Sequence, residues 1–295
     1  MAKQKKTMYY IMPNRTKDVR GTFTKKVERF LKDHGKECMV LTEEREDGQR
    51  VIPPLPKGYE GVALVLGGDG TVLRAVRDMR KDQMPVLGFN LGTIGYLAEI
   101  EKAGWEEALL KVISGEYSTE KRMMIYGEVR TPDGRKKTKV HEYGCMALND
   151  IVLVRQGSLQ ILSFTVYVGG RKLNSIHADG LVIATPTGST AYNLSAGGPI
   201  IEPTAKMILL TPICAQELGA RSIVLSAEQE IMVELVMEKN RTKSDASVKV
   251  VFDGVEELVM EPGDRILVRP SERKTTLIKL GDSSFLDVLH RKLEN

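Results

Sequence analysis

Residues 67–71, Gly-Gly-Asp-Gly-Thr, set one carboxylate among three glycines. Glycines let backbone approach a bulky anion and adopt positive φ, so that successive N–H groups converge on phosphate oxygens. A carboxylate repels bare phosphate, so Asp69 reads as the partner of a hydroxyl, or of a magnesium ion that bridges phosphates. The same five residues also suit an ordinary tight turn closed by Asp and Gly. They have neither the G-x-G-x-x-G spacing nor the Walker lysine, so those two phosphate-binding mechanisms do not transfer. A second stretch, residues 178–201, holds Thr185, Thr187, Ser189, Thr190, Tyr192, Asn193 and Ser195 close to glycines. So many hydroxyl and amide groups suit neutral hydrogen bonds to sugar hydroxyls and purine edges. They suit equally a Ser/Thr turn with a helix cap.

The flanking elements define where these groups stand. Residues 62–66 are a short continuous apolar run, the pattern of a strand covered on both faces in a parallel sheet. Val72, Ala75, Val76 and Met79 follow at helical spacing, with Asp69 or Thr71 as the expected cap. The glycine turn therefore lies at the carboxyl edge of a sheet, where open α/β folds hold ligands. Upstream, residues 8–12 and 38–41 read as strands around a helix whose face is Val19, Phe23, Val27, Phe30 and Leu31, and which stops near Gly35. Residues 42–59, charged and containing Pro53, Pro54 and Pro56, read as a surface loop. Residues 86–89 form another buried strand, and residues 90–96 put glycines at its carboxyl end, so two glycine loops on one sheet edge are expected to make a cleft. Residues 105–113 have a helical apolar face with Gly115 as its cap.

From Lys121 the pattern changes to short β-rich runs separated by tight turns at Pro132-Asp133-Gly134, Gln156-Gly157-Ser158, Gly169-Gly170 and Asp253-Gly254. Residues 161–168 and 247–260 alternate apolar and polar, as hairpins with one wet face do. Residues 284–293 read as a helix that packs back on the first domain. The expected organisation is an α/β domain with a mostly parallel sheet over residues 1–118, a mainly antiparallel β-rich domain over 119–270, and a C-terminal segment, 271–295, returning to the first.

The bulk numbers fit that size. With 295 residues, 42% of them hydrophobic, the chain can bury a sizeable core. Its 43 basic and 39 acidic side chains are too balanced to point to nucleic acid, though they admit an anionic small molecule. Cys38, Cys145 and Cys214 are odd in number and lack a CxxC pattern, so neither a disulfide framework nor a zinc cage is indicated, and a reducing cytoplasm is expected. The basic start leads into only five apolar residues, too few for a signal-peptide core, and no run approaches a membrane span. No His, Cys, Asp and Glu cluster has metal-ligand spacing.

Taken together, residues 67–71, residues 90–97, Ala147-Leu148-Asn149-Asp150, Asp179-Gly180 and residues 185–199 resemble, in type, order and spacing, the NAD kinase family. The match runs from Val62 to about Pro212. The first loop is shared with diacylglycerol, sphingosine and phosphofructokinase-type kinases, whereas the stretch TPTGSTAYNLSAGGP is much more specific. The resemblance implies transfer of a phosphoryl group from ATP, or in some members polyphosphate, to the 2′-hydroxyl of the adenosine ribose of NAD. It also implies a β-sandwich-like second domain and a homodimer or homotetramer with a partly shared site. A lipid or sugar kinase would carry an apolar or sugar-selective surface in place of the second loop, and a silent dinucleotide-binding module would not need Asp69.

Residue by residue, the resemblance makes Asp69 the base that accepts the ribose proton. Gly67, Gly68, Gly70 and Thr71 line the donor phosphates, and Arg74 adds charge. Asn149 and Asp150 fall where the family usually has Asn-Glu contacting the dinucleotide, Asp150 being one methylene shorter. Asp179 matches a dinucleotide-contacting aspartate, and His177 a position often basic. Thr190, Ala191, Tyr192, Asn193, Leu194 and Ser195 match the segment that wraps adenosine, where Tyr192 either stacks on a ring or sits in the core. Ala215-Gln216 stands where many members have Pro-His. Magnesium is expected as a companion of the donor phosphates, with no protein ligand assigned.

Overall fold

The structure, a computed structural model, describes residues 6–45, 48–79, 83–92, 95–137, 145–156, 161–217, 219–237, 247–281 and 284–294. Gly157 and Ser158 of one expected turn, and Thr93 and Ile94 of the second glycine loop, lie outside the described residues. The chain forms two compact units, Met1–Lys121 with Thr275–Asn295, and Arg122–Lys274.

In the first unit the apolar runs become a parallel sheet. In chain order it has β1 (Lys6–Pro13), α1 (Thr22–Asp33), β2 (Glu37–Val40), β3 (Tyr59–Gly67), α2 (Asp69–Asp78), β4 (Val86–Asn90), a two-residue β5 (Ile100–Glu101) and α3 (Trp105–Ser114). The strands lie in the order β2, β1, β3, β4, β5, each pair parallel. Val62, Leu64 and Leu66 of β3 share one core cluster with Phe23, Val27 and Leu31 of α1 and Ala108, Leu109 and Val112 of α3. The intervening Ala63 and Val65 are equally buried, as expected for a strand covered on both faces. One expected helix residue falls outside. Val19 is 80% exposed and precedes α1, because the Asp18 carboxylate accepts the N–H groups of Phe23 and Thr24 and Gly21 turns at φ 63° before the helix begins.

In the second unit the alternating runs become two antiparallel sheets. β6 (Ser118–Arg130) leads into it from the first unit, followed by β7 (Met146–Ala147), β8 (Asp150–Arg155), β9 (Leu162–Val168), β10 (Arg171–Ala178) and β11 (Gly180–Ala184). A four-residue helix α4 (Tyr192–Ser195) precedes β12 (Met207–Ile213), β13 (Ile223–Ser226), β14 (Ile231–Val236), β15 (Val248–Phe252), β16 (Glu256–Met260) and β17 (Arg265–Lys279). One sheet runs β13, β12, β11, β8, β15, β16. The other has β10, β9, β14 and β17 in that order. Leu181 and Ile183 from the first sheet and Phe164 and Val166 from the second share one core cluster. On the opposite face of the six-stranded sheet, Val152, Val182, Ala184 and Leu209 pack against Ala196 and Ile201. The hydroxyl-rich stretch thus lies over that face. Strand β9 departs from the one-wet-face expectation, since Ser163 and Thr165 are buried along with their apolar neighbours. The chain then closes with helix α5 (Phe285–Leu293) of the first unit.

Candidate active site

In the first unit the turn after β3 holds Asp69 by its carboxylate. Gly68, not Asp69 or Thr71, is the N-cap of α2, which leaves Asp69 as the first helical residue with its side chain free to reach sideways. Its Oδ2 accepts the N–H of Tyr96 at 2.8 Å, and its Oδ1 accepts those of Leu97 and Ala98 at 3.0 Å each. Gly95 packs directly against this carboxylate, where any Cβ would overlap it. The loop is fixed in turn by the C-terminal segment: the Tyr96 ring lies 6.1 Å from that of Phe285 on α5, and Lys279 of β17 pairs with Glu99. Burial first, and the Asp69 charge second, push the Tyr96 phenol above its usual range. Apart from the glycine at 95, nothing in the order of residues signals this clamp. Gly95→Ala is expected to push the Asp69 carboxylate off its N–H donors, a loss of about 1–3 kcal/mol read by urea unfolding of the full chain.

Thr71 and Arg74 are turned to structural partners. Thr71 Oγ1 accepts from Asn14 Nδ2 at 2.9 Å and from the Gly68 N–H at 3.3 Å, tying the turn after β1 to the glycine turn. Arg74 donates to the Gly48 carbonyl at 2.7 Å and pairs with Glu44 at 2.9 Å, so it holds those two residues rather than presenting a free cation. Gly70 is exposed, with open space where a Cβ would be, which leaves the first N–H groups of α2 approachable.

In the second unit Asn149 and Asp150 are held from behind by a residue that sequence reasoning treated only as part of a turn. Asp253, at φ 48°, accepts the N–H groups of Leu148, Asn149 and Asp150 at 2.8, 2.8 and 3.1 Å. With the backbone fixed, Asn149 Oδ1 is buried and has no hydrogen-bond partner, the condition of a group that awaits a ligand donor. Asp150 is only 5% exposed. Burial, and then the charge of Asp253, push its carboxyl up to about 7.

The hydroxyl-rich stretch divides into groups that build the loop and groups that face out. Thr185 donates to the Leu148 carbonyl at 2.5 Å, and Ser189 bonds both N–H and C=O of Ile201. Asn193, fully buried, donates to the carbonyls of Ser189 and Pro199 and accepts from Thr211 Oγ1 at 2.7 Å. Its side chain is therefore a staple of the loop, which leaves the Asn193 backbone for the contact with adenosine that the resemblance implies. Sequence could not separate the two roles, because a hydroxyl or amide that staples a loop has the same identity as one that binds a sugar. Thr190 and Ala191 are partly exposed, while Leu194, Ser195 and Tyr192 are exposed, the last at 43%, which excludes the core placement for its ring. Asn193→Ala would leave the buried Ser189 carbonyl and the part-buried Pro199 carbonyl without their donor, while the Thr211 hydroxyl keeps Ser222 as a partner. The expected loss is about 2–4 kcal/mol of stability, read by urea unfolding of the full chain.

Two further positions are tethered. Asp179 Oδ1 pairs with Arg155 at 2.6 Å, and Arg155 was not anticipated. His177 Nδ1 meets Glu217 Oε1 at 2.5 Å, and the Gln216 N–H donates to the His177 carbonyl, so the Ala215-Gln216 departure is followed by a carboxylate that engages the histidine. The hydrogen bond from His177 holds the Glu217 carboxyl below its usual range.

No group of three or more His, Cys, Asp and Glu side chains able to hold a metal occurs among the described residues, and no helix among them is long and apolar enough to cross a membrane. Residues 19–117 match the ATP-NAD kinase N-terminal domain, and residues 148–280 match the ATP-NAD kinase C-terminal domain. The chain is 38% identical to a NAD kinase of Lachnospira eligens over 97% of this chain and 99% of that one. It is 39% identical to a NAD kinase of Agathobacter rectalis over 97% and 98%. Among solved structures its fold is similar to yeast NADH kinase complexed with NADH, with TM-score 0.82 at 23% identity over 99% of this chain and 88% of that one. It is also similar to a NAD kinase from Archaeoglobus fulgidus in complex with ATP, with TM-score 0.71 at 23% identity over 93% of each. Two domain matches in the family's order, and relatives of this identity along nearly the whole length, place the chain in the NAD kinase family, enzymes that phosphorylate NAD.

Proposed function

We propose that this chain transfers the terminal phosphoryl group of ATP to the 2′-hydroxyl of the adenosine ribose of NAD, with Asp69 as general base. The observation that carries this reading is the clamp on Asp69, whose two oxygens accept three N–H groups and so keep about one lone-pair site, on Oδ2, for a further hydroxyl. A carboxylate held this way can orient the ribose hydroxyl and take its proton late in a loose transition state, as the ribose oxygen bonds to phosphorus and the bond to the leaving ADP oxygen breaks. The helix start supplies N–H groups and a positive dipole end for the donor phosphates around Gly67, Gly68 and Gly70. In the second unit, Asn149 Oδ1 and Asp150 suit the dinucleotide, and the exposed Thr190, Ala191, Tyr192, Leu194 and Ser195 suit adenosine. Asp179 and His177, tethered by Arg155 and Glu217, are read as further contacts of the dinucleotide. Magnesium, carried by the donor and held by phosphate and water, would neutralise charge on the transferring group. The enzyme is read as a cytoplasmic homodimer or homotetramer, with polyphosphate as an alternative donor.

Support comes from the neighbours, one bound to NADH and one to ATP. The test is a coupled assay that follows NADP formed from NAD with ATP, then with polyphosphate, NADH and unrelated alcohols as replacements. NADP formation from ATP and NAD is the expected result, and its absence with every donor overturns the reading.

A further inference from the structure

Several basic side chains of the first unit stand outside the roles assigned so far. A cavity of about 250 Å³ beside the first turn of α2 is lined by Arg15, Glu44, Arg50, Gly70, Thr71 and Arg74, among others. That is several times the ~30 Å³ of one water, room for phosphate oxygens and their solvent. Arg50 is 5% exposed. Its Nη2 donates to the Pro13 carbonyl at 2.5 Å, while its buried Nη1 has no hydrogen-bond partner. A buried guanidinium with an idle donor is costly unless a ligand uses it. Glu44, the one carboxylate named in the wall, is already neutralised by Arg74 at 2.9 Å. Buried Asp78 lies nearby, where its attraction offsets part of the burial cost of the Arg50 cation.

Lys17 supplies the second, independent observation. It sits on the exposed turn after β1, yet its ammonium reaches over both glycine turns. A methyl group on Gly68 would lie 2.9 Å from Lys17 Nζ, and one on Gly92 would lie 3.0 Å from it. No carboxylate among the described residues is within ion-pairing distance of Lys17. Lys17, with no carboxylate beside it, and Arg50, whose Nη1 is unused although Asp78 balances part of its charge, therefore converge on the helix start whose N–H groups are approachable.

We propose that Lys17 and Arg50 bind the phosphate chain of the phosphoryl donor, Lys17 over the glycine turns and Arg50 from the cavity beside α2. The proposal rests on the kinase reading and adds to it the side chains that grip the donor. The ammonium acts as a point charge for successive oxyanions, and the guanidinium as a planar fork. The ligand class is a run of phosphoanhydride-linked phosphates, supplied either by ATP or by inorganic polyphosphate.

The test uses the full chain, with inorganic tripolyphosphate as the calorimetric probe and both donors in the kinetic assay. Lys17→Met alters an exposed side chain and is expected to fold. It should raise KM for ATP, KM for polyphosphate and Kd for tripolyphosphate by about tenfold to a hundredfold, with Kd for NAD unchanged. Lys17→Arg should restore most of the affinity. Arg50→Lys, checked for folding by its melting temperature, should raise the same three constants about tenfold by losing the fork. Constants that stay within twofold in Lys17→Met overturn the proposal. So does a rise confined to ATP, which would mean that the lysine reads adenosine rather than phosphate. A wild-type chain that binds tripolyphosphate through Lys17 but forms no NADP would sustain this subsite and overturn the kinase reading instead.

Discussion

Asp69→Asn is expected to lower kcat by about 10² to 10⁴-fold, the usual worth of a positioned general base, while Kd for NAD changes only a few-fold. The amide has nearly the shape of the carboxylate but cannot accept a proton at neutral pH. It also cannot satisfy all three N–H groups of the clamp. With its oxygen in the place of Oδ1 it still accepts from Leu97 and Ala98, but its NH2 then meets the Tyr96 N–H donor to donor. That mismatch costs about 1–3 kcal/mol, the penalty of an unsatisfied partly buried donor, and should appear as a lower melting temperature. The two effects are separable, because the stability loss is fixed by one hydrogen bond whereas the rate loss follows the missing base. Single-turnover rates measured at saturating NAD and ATP, well below the variant's melting temperature, isolate the chemical step. An undiminished rate removes the base assignment. Equal losses in rate and in NAD affinity would instead make Asp69 an anchor of the ribose.

How legible this was from sequence depends on whether a role is carried by residue type or by three-dimensional partners. The strands and helices of the first unit announced themselves because a two-faced parallel strand must be apolar throughout, as residues 62–66 are, and because Gly115, at φ 82°, closes α3 where a left-handed residue is required. The glycine-aspartate turn alone was ambiguous, since Asp-Gly also closes ordinary turns, and it became legible only together with the hydroxyl-rich stretch at 185–199. What could not be read were interactions between residues far apart in the chain. Asp69 is clamped by N–H groups nearly thirty positions on, and any residue supplies an N–H. Asp253 braces Asn149 from about a hundred positions away, and in sequence it has only the look of a turn residue. Arg74 was a site cation only through the family resemblance, and Glu44 and Gly48, some thirty positions before it, engage it in the structure.

Asp150 carries the second large expectation, because its proton is shared between folding and binding. Its carboxyl moves from an ordinary 3.8 up to about 7 through burial and then the charge of Asp253. Between those values the folded chain keeps a proton that the unfolded chain has lost, so this residue's contribution to stability falls as pH rises from about 4 to 7 and levels off above 7. At about 1.4 kcal/mol per pH unit the limit is roughly 4 kcal/mol. Asp150→Asn abolishes the titration, so the variant should be the more stable protein at pH 8, by up to that amount, and should match the wild type near pH 4. Binding runs the opposite way. The ionised carboxylate can accept hydrogen bonds from two ribose hydroxyls, whereas the acid form must donate one of its own, so KM for NAD should fall as pH rises through 7 in the wild type. In Asp150→Asn, KM should be higher and flat between pH 6 and 8. Thermal melts and KM for NAD, taken together across pH 5 to 8, check both arms. A wild-type KM that does not move with pH while stability does would mean that Asp150 is a buried acid of the fold, braced beside Asp253, and not a contact of the dinucleotide.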